Sequence, residues 1–152
     1  MLQKIGLVLL TMAALANNAP AQPRGFGLGV IFGEPSGISA KSWLDKSTAI
    51  DAGVAWAVGR EDALHLHGDY LFHDFDLLQV ERGKLALYYG FGARIRFEDD
   101  SVIGVRVPVG LNYLFARAPV DLFFEMVPML DLIPDTSFEM NGGVGVRFFF
   151  GK

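Results

Sequence analysis

Residues 102 to 115 alternate without a slip. Ile103, Val105, Val107, Val109, Leu111, Tyr113 and Phe115 take one parity, and Gly104, Arg106, Pro108, Gly110 and Asn112 take the other. A period of two belongs to an extended strand, whose successive side chains leave opposite faces. The same period runs through 85–96, where Leu85, Leu87, Tyr89, Phe91, Ala93 and Ile95 oppose Tyr88, Gly90, Gly92, Arg94 and Arg96. It returns near the end, with Val144, Val146, Phe148 and Phe150 against Gly143, Gly145, Arg147 and Phe149. Residues 25–32, 48–58, 63–73 and 119–127 alternate less completely. Residues 37–44 are the least regular. Ser39 and Lys41 share a parity with Trp43, which predicts a strand that bends or ends early.

Turn chemistry separates these runs. Gly33-Glu34-Pro35-Ser36-Gly37, Asp45-Lys46-Ser47, Gly59-Arg60-Glu61-Asp62 and Glu98-Asp99-Asp100-Ser101 sit at hairpin spacing. Longer connections are expected at Asp74–Gly83 and Leu130–Glu139, and Pro108 predicts a bulge or a locally unpaired backbone position. The sum is eight strands, each of about 8 to 13 residues, long enough to cross a bilayer at a tilt. The predicted fold is all-β, an eight-stranded antiparallel up-and-down transmembrane β-barrel.

Composition changes the picture by weighing the two faces. The chain is 51% hydrophobic and 20% charged, yet no apolar run after the N-terminus is long enough for a membrane helix. At the N-terminus, Lys4, the apolar stretch Ile5–Ala16 and Ala19-Pro20-Ala21 read as a signal peptide over 1–21, leaving a single domain over 22–152. Cysteine is absent, which excludes disulfides and thiolate-bound metals. A net charge of -4 offers no basic surface for nucleic acid.

The less apolar parity is glycine with scattered charges. Lys41, Arg94, Arg106 and Arg147 stand against Asp51, Asp69, Asp121 and Glu125, four of each sign. A soluble barrel would carry a solvated face rich in Lys, Glu, Ser and Thr. A narrow lumen instead needs small residues and balanced charge, because unpaired buried charge is costly. These eight residues are therefore expected to form a charge network inside the barrel. The apolar parity would face lipid, with Trp56, Tyr70, Tyr89, Tyr113 and Phe115 as interface residues. A periplasmic barrel or sandwich that buries the apolar face is the competing reading.

In size, leader and strand count the chain resembles the small outer-membrane barrels of the outer-membrane protein A and X class. The runs Gly33-Glu34-Pro35-Ser36-Gly37-Ile38-Ser39-Ala40-Lys41 and Gly104-Val105-Arg106-Val107-Pro108-Val109-Gly110-Leu111 are similar to those of a bacterial family of small outer-membrane barrels. The resemblance implies an outer-membrane location, with lipid and the membrane's assembly machinery as partners, and carries over no active site. Many such barrels end on an aromatic residue; here Phe150 is followed by Gly151 and Lys152.

His65, His67 and Asp69 share a parity and could ligate zinc, but no fourth ligand is evident and a polar network is the expectation. A lipid-modifying enzyme would need a histidine beside Ser or Asp, as in His73 with Asp74 or His65 with Ser39. The glycines of 27–33 and 33–37 lack the spacing or the Lys of nucleotide loops. The expected role is structural or surface-interacting, in a monomer without catalysis, cofactor or metal. A narrow channel and a lipid-modifying enzyme are the alternatives.

Overall fold

The computed structural model describes residues 23–34, 36–57 and 63–150. The expected leader, Pro35, the turn Gly59–Asp62 and Gly151–Lys152 lie outside them. Nine strand segments are present: β1 (Phe26–Glu34), β2 (Ser36–Trp43), β3 (Thr48–Ala57), β4 (Ala63–Asp74), β5 (Lys84–Phe97), β6 (Val102–Arg106), β7 (Val109–Leu114), β8 (Val120–Ile133) and β9 (Ser137–Phe150). No helix occurs among the described residues.

Neighbours in sequence pair antiparallel, and the last strand returns to the first. β1 pairs with β9 from Phe26↔Phe150 to Glu34↔Gly142, so the sheet closes on itself. β6 and β7 are one stave. Arg106 faces Gly92 and Met129, and Val109 faces Tyr89 and Met126, so the register is unbroken across the gap. The interruption is proline chemistry. Gly90 N–H donates to the Pro108 carbonyl at 3.1 Å, but Pro108 has no N–H to return. Pro128 is the counterpart on the other side, accepting from Val107 N–H at 3.0 Å. The barrel therefore has eight staves.

Two sequence expectations are corrected. β2 neither bends nor stops early; it pairs with β3 in continuous register from Ser36↔Trp56 to Trp43↔Ala49. Trp43 shares a parity with Lys41 because its indole belongs to the interior. Leu130–Glu139 is also no long connection, since β8 runs to Ile133 and β9 starts at Ser137. A register shift lies opposite Ile103 and Gly104, which face Ile133 and Asp131. Leu132 is thus an extra residue, and Leu132 and Ile133 are both exposed.

The two rims differ. At the near rim, which carries both ends of the described barrel, the connections are 44–47, 75–83 and 115–119. The far rim has shorter reversals, such as 98–101 and 134–136. Two apolar clusters sit in the interior. Trp43, Ala49, Leu114 and Phe149 close the near end with Phe75 against them, and Leu71, Tyr88 and Phe123 pack with Ile31 farther in. Bulky inward residues sit beside cross-strand glycines: Phe149 opposite Gly27, His67 opposite Gly53, Tyr88 opposite Gly110 and Phe123 opposite Gly145. Each glycine leaves the room its partner's ring occupies.

Outward positions carry the other parity. Leu28, Val30, Val54, Ile95, Val105, Val107, Val109, Leu111, Leu122, Phe124 and Val144 are all exposed or half-exposed. Between the rims, no described outward position carries Asp, Glu, Lys or Arg. Aromatic residues gather toward both ends of this belt. Phe72 stacks on Tyr89 at 5.6 Å and Tyr70 on Phe91 at 6.0 Å, while Phe26, Phe148 and Phe150 stand near the first rim. Trp56, Phe97 and Phe138 stand near the second, each more than 40% exposed.

Candidate functional site: the charged interior

The structure places all eight expected lumen residues inside. Lys41, Asp51, Asp69, Arg94, Arg106, Asp121, Glu125 and Arg147 are each buried to 6% exposure or less. Strand parity turns them inward, and cross-strand register fixes which of them meet. Arg147 on β9 directly faces Asp121 on β8. Its Nε and one terminal nitrogen donate to the two oxygens of Asp121, both at 3.0 Å, a bidentate pair. The guanidinium also lies 4.0 Å over the Phe123 ring.

Arg94 makes a second fork. It donates to both oxygens of Asp131, at 3.0 and 2.6 Å, and to Glu139 at 2.8 Å. Arg96 completes this far-rim group, with Glu139 at 3.5 Å and Glu98 alongside at 2.5 Å. Arg106 joins two strands' acids. Its terminal nitrogen donates to Glu125 at 3.2 Å, and its Nε lies 2.9 Å from Asp69 Oδ1. That second contact has ion-pair distance but not hydrogen-bond direction, so both atoms lack a hydrogen-bond partner among the described residues. Glu125 further accepts from the Tyr88 hydroxyl at 3.2 Å.

Lys41 is the exception, because it meets neutral partners. Its Nζ lies 2.6 Å from His73 Nε2, donates to Asn112 Oδ1 at 3.0 Å, and stands 4.2 Å above the Trp43 ring. Asn112 donates in turn to Asp121 at 2.9 Å. Asp51 faces Lys41 across β2 and β3, but no cation lies within ion-pair distance of it among the described residues.

The expected His65, His67, Asp69 group is not what converges. His65 faces Arg96 across β4 and β5. Asp51, His67 and Asp69 instead bring their ligand atoms within 4.8 Å of one another. His73 and Asp74 do not form a pair: Asp74 Oδ1 accepts from the backbone of Asp76 and Leu77, while the His73 ring contacts Lys41 and Ser47 O. Ser39 lies across from Gly53, which faces His67 and not His65. Sequence reading missed Asp131, Glu139, Asn112 and Tyr88 as site residues, and named His73 only beside Asp74, not Lys41. The parity of Tyr88 and Asn112 was the available signal.

Two cavities bear on the site. The larger, about 840 Å³, is a mouth at the near rim bordered by Arg24, Asp45, Lys46, Phe75, Leu78 and Lys84. Its border carries three cations and one carboxylate, Arg24, Lys46, Lys84 and Asp45, and Phe75 there packs on Trp43. The smaller, about 30 Å³, lies within the charged interior and is lined by His65, His67, Arg94, Arg106 and Glu125.

The fold defined by this closed eight-stave sheet is that of a small antiparallel barrel with a side-chain-filled interior. The N-terminal β-barrel domain of Pseudomonas aeruginosa OprF has a similar structure, with a TM-score of 0.61 at 12% sequence identity, covering 86% of this chain and 99% of that domain. The likeness is one of fold. No family model and no curated protein matches the sequence.

Proposed function

We propose that the chain is an outer-membrane barrel whose packed, charge-paired interior gives a structural or surface-interaction role without catalysis. The observation that carries this reading is the outward belt. An uncharged apolar surface encircles the barrel, with aromatic side chains gathered toward each rim. A soluble protein rarely leaves apolar patches beyond a few hundred Å² uncovered, whereas a bilayer requires such a belt. Closure of the sheet supports the same reading, since in lipid every backbone polar group must find an internal partner. The fold shared with the OprF barrel domain is in keeping with it.

The interior supports a barrel that does not conduct. Arg147–Asp121, Arg106–Glu125 and Arg94–Asp131 fill the lumen at successive levels, and Trp43, Leu114 and Phe149 close the near end. Cell fractionation tests the location: the protein should stay with membranes through a high-salt wash and leave them only in detergent. Recovery in the soluble fraction without detergent would defeat the proposal. Planar-bilayer recording tests the lumen, where steady single-channel current would favour the channel reading.

A further inference from the structure

Two carboxylates meet one guanidinium in the middle of the lumen, and a third lies beside them. Arg106 lies within ion-pair distance of Asp69 and Glu125. Asp51, directly across from Asp69 in the β3–β4 register, has no such partner, because Lys41 is held away by His73 and Asn112. With all three carboxylates ionised, the group carries two more negative than positive charges. Buried carboxylates left in that state are costly unless a proton or a metal cation joins them.

The donor atoms are already gathered. Asp51, His67 and Asp69 offer two carboxylate oxygens and one imidazole nitrogen within 4.8 Å of one another. Asp51 is 5% exposed and Asp69 3%. Asp51 Oδ1 and both oxygens of Asp69 have no hydrogen-bond partner among the described residues. His67 Nε2 stands 4.0 Å from Asp69 Oδ2, and its ring occupies the space over Gly53. In a tetrahedral site with bonds near 2.1 Å the donors stand about 3.4 Å apart, so closure needs movements of roughly an ångström. His67 also lines the 30 Å³ cavity, which has room for a water as a further ligand.

We infer that Asp51, His67 and Asp69 form a lumenal site for a divalent first-row transition cation. The imidazole selects against calcium and magnesium, and the lack of sulfur selects against soft monovalent copper. A divalent ion would balance the three carboxylates in their ionised form. It would tie β3 to β4 at mid-barrel, where no other ion pair joins those two strands among the described residues. The site depends on the barrel interior and not on the membrane assignment, so either can fail without the other.

Zinc is the probe. The mature chain, folded in detergent micelles and stripped with chelator, is equilibrated with zinc; bound metal is measured by atomic emission and affinity by calorimetry. The expected result is about one zinc per barrel, with affinity lowered about 10-fold or more in Asp51→Asn and in His67→Gln. His65→Gln, outside the trio, should bind as the parent does. Circular dichroism of each variant checks that the barrel has formed. Should Asp51→Asn fail to fold, His67→Gln decides alone, since His67 has no ion pair closer than 4.0 Å. No zinc retained by the parent, or retention unchanged in folded His67→Gln, overturns the site.

Discussion

Arg147 shows how single residues govern this interior. It is buried, its charge is matched within ion-pair distance by Asp121 alone among the described residues, and both forks of the pair are short. Removing one partner leaves the other charged in a low-dielectric interior. Arg147→Met should therefore destabilise the barrel by about 3–5 kcal/mol. Replacing both, as in Arg147→Met with Asp121→Leu, should return most of that loss, because the desolvation of each charge disappears with it. Urea unfolding of the barrel in lipid vesicles measures both; a double variant as weak as the single one would contradict the argument. Outside the strands, Asp45 makes a different prediction. Its Oδ1 accepts from Ser47 N and Thr48 N at 2.8 Å each, which favours the ionised form. Its pKa falls from an ordinary 3.8 to about 2. A lowered folded value means that the turn's contribution is complete above pH 3.8 and is lost as the pH falls through about 2. Carboxyl carbon resonances should show Asp45 titrating near the lower value, and a midpoint at the ordinary one would rule out the capped turn.

At the scale of elements, alternation told which side of a strand each residue takes, and the cross-strand level had to come from register. Arg94, Arg106 and Arg147 lay in the cleanly alternating strands, Asp51, Asp69, Asp121 and Glu125 in strands that alternate less completely, and Lys41 in the irregular β2. Asp131 and Glu139 were hidden because Pro128, Pro134 and the extra residue Leu132 interrupt the period just where β8 and β9 continue. His67 was legible as inward. Its meeting with Asp51 was not, since it depends on the pairing Asp51↔Asp69 across β3 and β4. The pairing of glycine with bulky neighbours also belongs to this scale. A methyl group at Gly27 would stand 2.7–2.8 Å from the Phe149 ring, which is held between Trp43 and Leu114 in the near-end cluster. Gly27→Ala should cost about 1–3 kcal/mol through overpacking. Gly68→Ala, whose methyl would meet only Asp51 O at 3.8 Å, should cost far less. Equal midpoints for the two in urea would show that the glycines do not make room for the rings.

For the whole molecule, the outward belt makes a prediction about depth. Val109 lies mid-belt, and Phe138 lies near the far rim. In a bilayer, Val109→Arg should cost about 2–4 kcal/mol and Phe138→Arg about 0–1 kcal/mol. The same pair compared in micelles and vesicles reports whether the belt is a lipid contact; similar costs at both positions would argue against one. The rims carry a further consequence. The longest connection, 75–83, sits on the side of the chain ends, and the far-rim reversals at 98–101 and 134–136 are only a few residues long. If the chain ends face the periplasm, these two described turns give the cell exterior little that protrudes. Antibodies and phages that grip protruding loops would find little to hold at these two turns, and a reporter peptide grafted into 98–101 would be visible from outside an intact cell.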